Sequence, residues 1–340
     1  MDITTTILGF LFGAILIYSR LNKFDTISGA ARQTDFAVPK AIAVAIGLGM
    51  IFLTVEIGLG LADYHVKPFL LGGIILGGLI FGAGMAILGY CPGTLFVSVG
   101  EGSVDALIGI VGGLAGGVVY TVTLPYIGSV LGPDLGKISL QSIVGGQGVL
   151  FYTLVSVIGV AFIAGALWLN RKEGTKDLKW LYSGIALSVL NPIVFLTSVS
   201  GRPIGASTAY PYVGDWLTGL TGGVYFNKIK TPGNWELIFL FGAMLAGLVF
   251  SLIRKNFKLT LIHQGWEEFK GKSVSGRVIW AFIGGFILVF GARMAGGCTS
   301  GHILSGGMQV AVSSLVFAVF VFIGLLITGK LFYKKGKELA

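Results

Sequence analysis

Residues 89–94 read Gly-Tyr-Cys-Pro-Gly-Thr, and residues 296–301 read Gly-Gly-Cys-Thr-Ser-Gly. Each stretch contains one of the chain's two cysteines, Cys91 and Cys298, which lie 207 positions apart. The same shift aligns further small residues without a gap: Gly77, Gly78, Gly84, Gly89, Ser98 and Gly100 with Gly284, Gly285, Gly291, Gly296, Ser305 and Gly307. Matching cysteines in two glycine-rich stretches indicate an internal repeat that builds one composite site near a pseudo-symmetry axis.

The composition indicates a membrane protein. Of the 340 residues, 54% are hydrophobic and 11% are charged, and the mean hydropathy is +0.87, whereas soluble domains carry roughly 25% charged residues. Glycine accounts for 55 residues, as is typical of membrane helices that approach closely or break. The net charge of +9 comes from basic residues in short loops between apolar runs. It therefore indicates orientation in the membrane and not binding of nucleic acid.

The apolar runs predict an all-α polytopic membrane protein in which one integral membrane domain occupies residues 1–340. About 20 helical residues cross a bilayer core of ~30 Å. By that length the sequence predicts about nine transmembrane helices, at 3–19, 39–61, 68–88, 103–127, 148–169, 180–199, 236–253, 278–296 and 311–332. The first and seventh runs are short for a span. Residues 138–146 and 212–223 are expected to form short partial or re-entrant helices.

The basic residues predict the orientation of these spans in the lipid bilayer. With nine spans, 18 of the 24 Lys and Arg residues fall on one face, including the tail residues Lys334, Lys335 and Lys337. Five fall on the other face, namely Lys67, Lys137, Arg202, Lys228 and Lys230. By the positive-inside rule, the C-terminus is cytoplasmic and the N-terminus lies outside. Lys and Arg are missing before the first apolar run, so we expect that run to be a retained span.

The two cysteine stretches are predicted to enter the membrane from opposite sides. Cys91 belongs to span three, which runs from outside to inside, and Cys298 belongs to span eight, which runs from inside to outside. This arrangement is an inverted-topology repeat, approximately 1–130 and 178–335 linked by 131–177, as in many secondary transporters. Proline removes a backbone donor and glycine frees the backbone, so each span should break at its cysteine. Such breaks would aim unpaired N–H groups at a small anion.

Several interpretations of the cysteines compete. They could be buried core residues, a disulfide, a redox pair, or soft contacts for a sulphur-bearing anion. A metal site is poorly supported, because there is no Cys-x-x-Cys motif and the chain has three histidines. Of these, His302 is expected to be hydrogen-bonded and not a ligand. We therefore expect no metal, no cofactor and no enzymatic activity. The predicted substrate-binding and translocation residues are Tyr90, Cys91, Pro92, Gly93, Arg293, Gly296, Gly297, Cys298, Thr299 and Ser300.

Charged residues within the apolar runs have two interpretations each. Arg293 lies five residues before Cys298 inside a span, where a charge is costly. It would either attract an anion or hold the broken loop by bonding carbonyl groups. Glu101 and Asp105 begin span four and are expected to satisfy backbone N–H groups there, with proton coupling as the alternative.

At these residues the chain resembles the YeeE/YedE sulphur-transport family. The resemblance rests on residues 89–94, on residues 291–302 (Gly-Ala-Arg-Met-Ala-Gly-Gly-Cys-Thr-Ser-Gly-His), and on residues 201–205 (Gly-Arg-Pro-Ile-Gly). It implies an importer of thiosulfate or a related sulphur compound in a bacterial or archaeal inner membrane. It also implies an hourglass-like fold whose waist holds Cys91 and Cys298, and a separate sulphur-carrier protein of the TusA type as partner.

The chain departs from that family at one place. Some members have a third cysteine just after the first span, but residues 20–25 here read Arg-Leu-Asn-Lys-Phe-Asp. A relay of three thiols is therefore not available, and compounds of selenium or another chalcogen stay open as substrates. The alternative from another class is a membrane thiol oxidoreductase that uses Cys91 and Cys298 as a redox pair.

Overall fold

The computed structural model describes residues 2–334, so Met1, residues 335–340 and the tail residues Lys335 and Lys337 lie outside it. The described chain folds almost entirely into α-helices joined by short loops, with isolated backbone bridges and no strands. In chain order the helices are α1 (Ile3–Tyr18), α2 (Phe24–Ala31), α3 (Ala37–Gly58), α4 (Leu71–Leu88), α5 (Pro92–Gly100), α6 (Val104–Leu131), α7 (Leu140–Val144), α8 (Val149–Glu173), α9 (Lys179–Phe195), α10 (Ala209–Thr218), α11 (Val224–Ile253), α12 (Gln264–Lys270), α13 (Val274–Met294), α14 (Ser305–Met308) and α15 (Val312–Phe332).

The long helices confirm a polytopic all-α membrane protein. Seven helical segments of the described chain are long and apolar enough to cross a bilayer: Ala37–Gly58, Leu71–Gly100, Val104–Leu131, Val149–Glu173, Val224–Ile253, Val274–Met308 and Val312–Phe332. The other two predicted spans correspond to α1 and α9, with 16 and 17 residues. At 1.5 Å per residue these two are about 24–26 Å long, somewhat less than the hydrocarbon core of ~30 Å.

The helices contact each other in matched pairs. The shift that aligns the cysteines carries α4 onto α13 and α6 onto α15. Accordingly, α4 packs on α15 while α13 packs on α6, and α4 and α13 pack on each other. In the same way α1 packs on α11, and α9 packs on α3. This pattern supports a repeated architecture. The boundaries 1–130 and 178–335 and the opposite membrane orientations of the two halves stay a prediction.

Glycines explain how α4 and α13 come so close. A Cβ atom on Gly77 would lie 2.7 Å from the carbonyl oxygen of Gly291, and one on Gly291 would lie 2.8 Å from the carbonyl oxygen of Gly77. A Cβ atom on Gly84 would lie 2.5 Å from the backbone nitrogen of Leu288. Because real Cβ atoms do not approach that closely, only glycine permits this crossing, which brings the two cysteine breaks to the centre of the bundle.

Each cysteine lies at the start of the second part of a broken helix. Helix α4 ends at Gly89 with φ of 77°, and α5 begins at Pro92 directly after Cys91. Helix α13 gives way to Gly296, with φ of 75°, and a π-helical segment, Thr299–Leu304, follows Cys298. Both breaks therefore precede the cysteine. Pro92 does not interrupt the helix but starts the next one, at the position where its missing N–H costs nothing.

The serines that the repeat aligns anchor the segments after the breaks. Ser98 Oγ donates to the carbonyl oxygen of Asn22 at 2.7 Å, and Ser305 Oγ donates to that of Ile204 at 3.0 Å. Asn22 lies just before α2, and Ile204 lies in the loop before α10. The predicted partial helices are also present, as α7 and α10. Short elements of both halves therefore support the central breaks.

Candidate functional site

The two cysteines are free thiols that line different cavities. Cys298 is fully buried and borders a cavity of about 730 Å³. Cys91 is half-buried and borders a smaller cavity of about 90 Å³ with mostly apolar walls. Gly296, Gly297 and Gly301 face the larger cavity. The smaller cavity is lined by three other predicted site residues, namely Gly93, Thr299 and Ser300. The segment 296–301 therefore separates the two cavities.

Each sulphur lies beside a hydroxyl group of its own segment. Thr94 Oγ1 is 3.4 Å from Cys91 Sγ and also accepts a hydrogen bond from the Cys91 backbone N–H at 2.9 Å. Ser300 Oγ lies 3.2 Å from Cys298 Sγ. A thiol with a hydroxyl neighbour forms a small set of weak donors and acceptors. Such a pair can make weak contacts with a polarisable ligand.

Five cationic side chains border the larger cavity, which we call the vestibule. They are Lys67, Lys137, Arg202, Lys228 and Arg293, against the single carboxylate of Glu236. Four of the five belong to the small group of basic residues predicted for the non-cytoplasmic face. A concave surface with one sign of charge concentrates ions of the opposite sign. The excess of cations over carboxylates gives the vestibule a positive charge.

Arg293 is held by hydroxyl groups and not by carbonyl groups. Its Nε donates to Tyr225 Oη at 2.9 Å, and its Nη1 donates to Ser207 Oγ at 3.3 Å and to Thr208 Oγ1 at 3.1 Å. The buried guanidinium has no carboxylate within ion-pairing distance among the described residues. Its charge is therefore available to the vestibule, which favours the first interpretation of this residue, attraction of an anion.

Glu236 is the acidic residue of the vestibule, and sequence reasoning did not single it out. Its Oε2 accepts hydrogen bonds from the backbone N–H groups of Thr208 at 2.6 Å and Ala209 at 3.3 Å. These groups lie at the start of α10, where unpaired N–H groups and the helix dipole favour a carboxylate. The signal in the sequence was a lone acidic residue at the start of an apolar run.

A lysine and a histidine hold the backbone around Cys298. Lys67 Nζ donates to the carbonyl oxygen of Gly296 at 2.7 Å. His302 is fully buried, with Nε2 2.7 Å from the carbonyl oxygen of Ala295 and Nδ1 2.9 Å from Ser314 Oγ. Both ring nitrogens of His302 are therefore engaged in hydrogen bonds, as the sequence predicted. The sequence identified Lys67 only as one of the basic residues on the predicted non-cytoplasmic face.

The residues next to Cys91 have structural roles. Pro92 accepts a hydrogen bond through its carbonyl oxygen from Tyr210 Oη at 2.8 Å. The ring of Tyr90 points away from both cavities into a buried polar cluster. Its Oη lies 3.0 Å from His263 Nε2 and 3.3 Å from Asp105 Oδ2. The structure therefore places Tyr90 outside both cavities. The other predicted site residues lie in the walls of the two cavities or at the helix ends beside them.

A buried ion pair dominates the cluster behind Tyr90. Arg277 Nη2 donates to Asp105 Oδ2 at 2.5 Å, and both side chains are fully buried. Asp105 thus binds side chains and not the backbone N–H groups that the sequence suggested. Glu101 likewise accepts from Asn22 Nδ2 at 2.5 Å and forms an ion pair with Lys23 at 2.8 Å. Among the described residues, His, Cys, Asp and Glu side chains form no group of three that could hold a metal ion.

Two comparisons with known proteins cover this whole site. The thiosulfate transporter TsuA of Spirochaeta thermophila is 27% identical over 337 residues, which span 94% of this chain and 96% of that protein. The model of the sulphur transport family matches residues 19–327, a range that includes both breaks and every predicted site residue. Because the match extends over most of the chain, this protein belongs to the sulphur transport family.

Proposed function

We propose that this protein imports thiosulfate or a closely related sulphur-containing anion across the inner membrane through the two cysteine breaks. The observation that carries the proposal is a cationic vestibule that ends at Cys298, with Cys91 on the other side of the same segment. The relative named as a thiosulfate transporter, similar over nearly the whole length of both chains, supports the choice of substrate.

The anion enters from the non-cytoplasmic side. Lys137, Arg202, Lys228 and Arg293 raise its local concentration in the vestibule. It then meets Cys298 and passes to Cys91 by way of the hydroxyl groups of Thr299 and Ser300. Thiols are weak donors with polarisable sulphur atoms, so each contact is weak enough to release the anion again, as passage requires.

The cavity at Cys91 forms the inner half of the path. It measures about 90 Å³, against about 730 Å³ for the vestibule. An anion gains little from apolar walls, so this inner cavity has to widen or admit water during each passage. The described conformation therefore corresponds to a state that is open at the vestibule and closed on the cytoplasmic side. On that side a separate sulphur-carrier protein of the TusA type would receive the imported sulphur compound.

The alternative function, a membrane thiol oxidoreductase, needs Cys91 and Cys298 to form a disulfide in turn. Both thiols are free and border different cavities, which supports successive contacts in place of a redox pair. Purified protein that cycled between dithiol and disulfide with a quinone would favour the alternative. Transport of a selenium compound differs only in the anion and is distinguished by competition.

The test is uptake of labelled thiosulfate by proteoliposomes, with sulfate, sulfite and selenite as competitors. We expect Cys91→Ser and Cys298→Ser each to reduce uptake at least about tenfold, because serine retains a hydroxyl donor but loses the polarisable sulphur. Thr153→Ser, on the exposed surface of α8, is the matched control and should transport normally. Normal uptake by both cysteine variants would exclude passage by way of the thiols.

A further inference from the structure

The helices that lead into the two breaks end at the centre of the bundle. The last carbonyl groups of a helix have no partner within the helix and carry the negative end of its dipole. Carbonyl groups at membrane depth need donors, and bare ones would repel a passing anion. The described structure supplies a cationic donor at the end of α4 and another in the turn that follows α13.

Arg277 supplies the donor for α4. Its Nη2 donates to the carbonyl oxygen of Leu88 at 2.8 Å, and its Nη1 donates to that of Ile87 at 3.4 Å. Leu88 is the last residue of α4, two positions before Tyr90. Arg277 itself lies in the first turn of α13, the helix that leads to the other cysteine. The guanidinium is fully buried, and Asp105 Oδ2 accepts hydrogen bonds from its Nε at 3.2 Å and its Nη2 at 2.5 Å.

Lys67 supplies a donor in the turn that follows α13, two residues beyond its last residue, Met294. It lies just before α4, and its Nζ donates to the carbonyl oxygen of Gly296 at 2.7 Å. A Cβ atom on the neighbouring Gly297 would lie 3.0 Å from Lys67 Cε, so the side chain lies directly against the break. The arrangement is reciprocal: a cation in the first turn of α13 binds the end of α4, and a cation just before α4 binds the turn after α13.

The two cations lie at nearly equivalent positions of the repeat. The shift of 207 carries Lys67 to position 274, three residues before Arg277. The two residues differ in type and spacing, and this is why alignment of the sequence did not reveal them as a pair. One turn of helix separates the equivalent positions, and the longer guanidinium side chain reaches two carbonyl groups where the lysine reaches one.

We propose that Lys67 and Arg277 are positioning residues that hold each break in shape and cancel the negative end of the preceding helix. The carbonyl groups of Leu88 and Gly296 are then paired with cations, so they repel the passing anion less than unpaired carbonyl groups would. This inference rests on the proposed function for the identity of the anion. The hydrogen bonds that carry it are independent of that identity.

Lys67 gives the sharper test, because it has no carboxylate partner among the described ion pairs. In proteoliposomes, Lys67→Met should lower the maximal uptake rate about tenfold and change the half-saturation concentration by less than about twofold. The reason is that Lys67 affects how fast the anion passes the break and not how readily the vestibule captures it. Lys67→Arg should restore most of the rate. Lys230→Met removes an exposed charge of α11 that does not line the vestibule, and it should behave as the unaltered protein does.

Amide hydrogen exchange supplies a second measurement that needs no substrate. Lys67→Met should speed exchange in residues 295–301 about tenfold, while Lys67→Arg and Lys230→Met should not. Arg277→Lys, which keeps the charge next to Asp105, should speed exchange in residues 86–91 because one amine cannot reach both carbonyl groups.

The outcomes separate the two proposals. Failure of the unaltered protein to carry thiosulfate, together with faster exchange in Lys67→Met, would reject the substrate and retain the positioning role. Unchanged exchange in Lys67→Met, or an increase in the half-saturation concentration with a normal maximal rate, would overturn the positioning role. In that last case Lys67 would be only one more attracting charge of the vestibule.

Discussion

The two cysteine breaks share a backbone plan but have different surroundings. At both, a glycine with positive φ precedes the cysteine, and a new helical segment follows it. The break at Cys91 rests on a buried cluster that contains the Arg277–Asp105 ion pair. The break at Cys298 opens on a cavity with five cations and one carboxylate. The shared backbone geometry therefore follows the aligned residues, and the different surroundings come from side chains that the shift of 207 does not align.

The unrepeated positions show how the two sides came to differ. By the shift of 207, Arg293 is equivalent to Ala86, His302 to Leu95, and Val312 to Asp105. The attracting charge of Arg293 thus has no counterpart near Cys91, and the ion pair of Asp105 has none near Cys298. A symmetric pair of breaks would treat both directions alike. This difference in charge favours capture of the anion on the vestibule side only.

The largest effect is expected from breaking the ion pair behind Cys91. Arg277→Met removes the guanidinium from the buried carboxylate of Asp105 and leaves it the contacts with His263 and Tyr90. Breaking a buried ion pair by removal of one partner costs about 3–5 kcal/mol. We expect a large fall in the melting temperature of the detergent-solubilised protein. The double variant Arg277→Met with Asp105→Asn should recover much of the loss, because no buried charge is left without a partner. A double variant as unstable as the single one would show that the carbonyl contacts, and not the ion pair, provide the stability.

The two equivalent glycines should respond differently to the same substitution. Gly89→Ala places a methyl group 2.2 Å from the ring of Phe24, in addition to the strain of a positive φ. Gly296→Ala meets nothing within 4 Å and bears the strain alone. We expect about 1–2 kcal/mol of destabilisation for Gly296→Ala and roughly 1–3 kcal/mol more for Gly89→Ala, measured by thermal unfolding. Equal losses would contradict the difference in packing between the two breaks.

The sequence predicted the features that depend on local composition and on the repeat. Apolar runs revealed the helices, and the matching cysteine stretches revealed both breaks. The seventh run was predicted from residue 236, but α11 begins at Val224. Its first three turns contain polar residues and Pro232, and they read as a loop. Lys228 and Pro232 border the vestibule, so this part of α11 faces a cavity, where polar side chains are tolerated at membrane depth.

The contacts that complete the site were beyond prediction because they join distant parts of the chain. Lys67 and Gly296 are 229 residues apart, and Arg277 and Leu88 are 189 apart. From the sequence, Lys67 was predicted only to lie on the non-cytoplasmic face, and Arg277 falls in the cytoplasmic loop between the predicted spans 236–253 and 278–296. Asp105 was expected to accept hydrogen bonds from the backbone N–H groups at the start of its own helix. It binds the buried guanidinium of Arg277 instead, since hydrogen bonds between two charged groups are roughly twice as strong as neutral ones.

The smallest effect tests which side captures the anion. Lys137 and Lys228 line the vestibule at exposed positions, so the variant with both changed to Gln should raise the half-saturation concentration for uptake a few-fold at low salt. The difference should shrink at 0.15 M salt and above, where the screening length falls to about 8 Å. The matched control changes Lys172 and Lys176 to Gln. These are exposed residues on the predicted cytoplasmic face, so this control should leave uptake from the vestibule side unchanged. A salt-dependent effect in the control pair alone would place the capturing surface at Cys91's end of the path and reverse the proposed direction of transport.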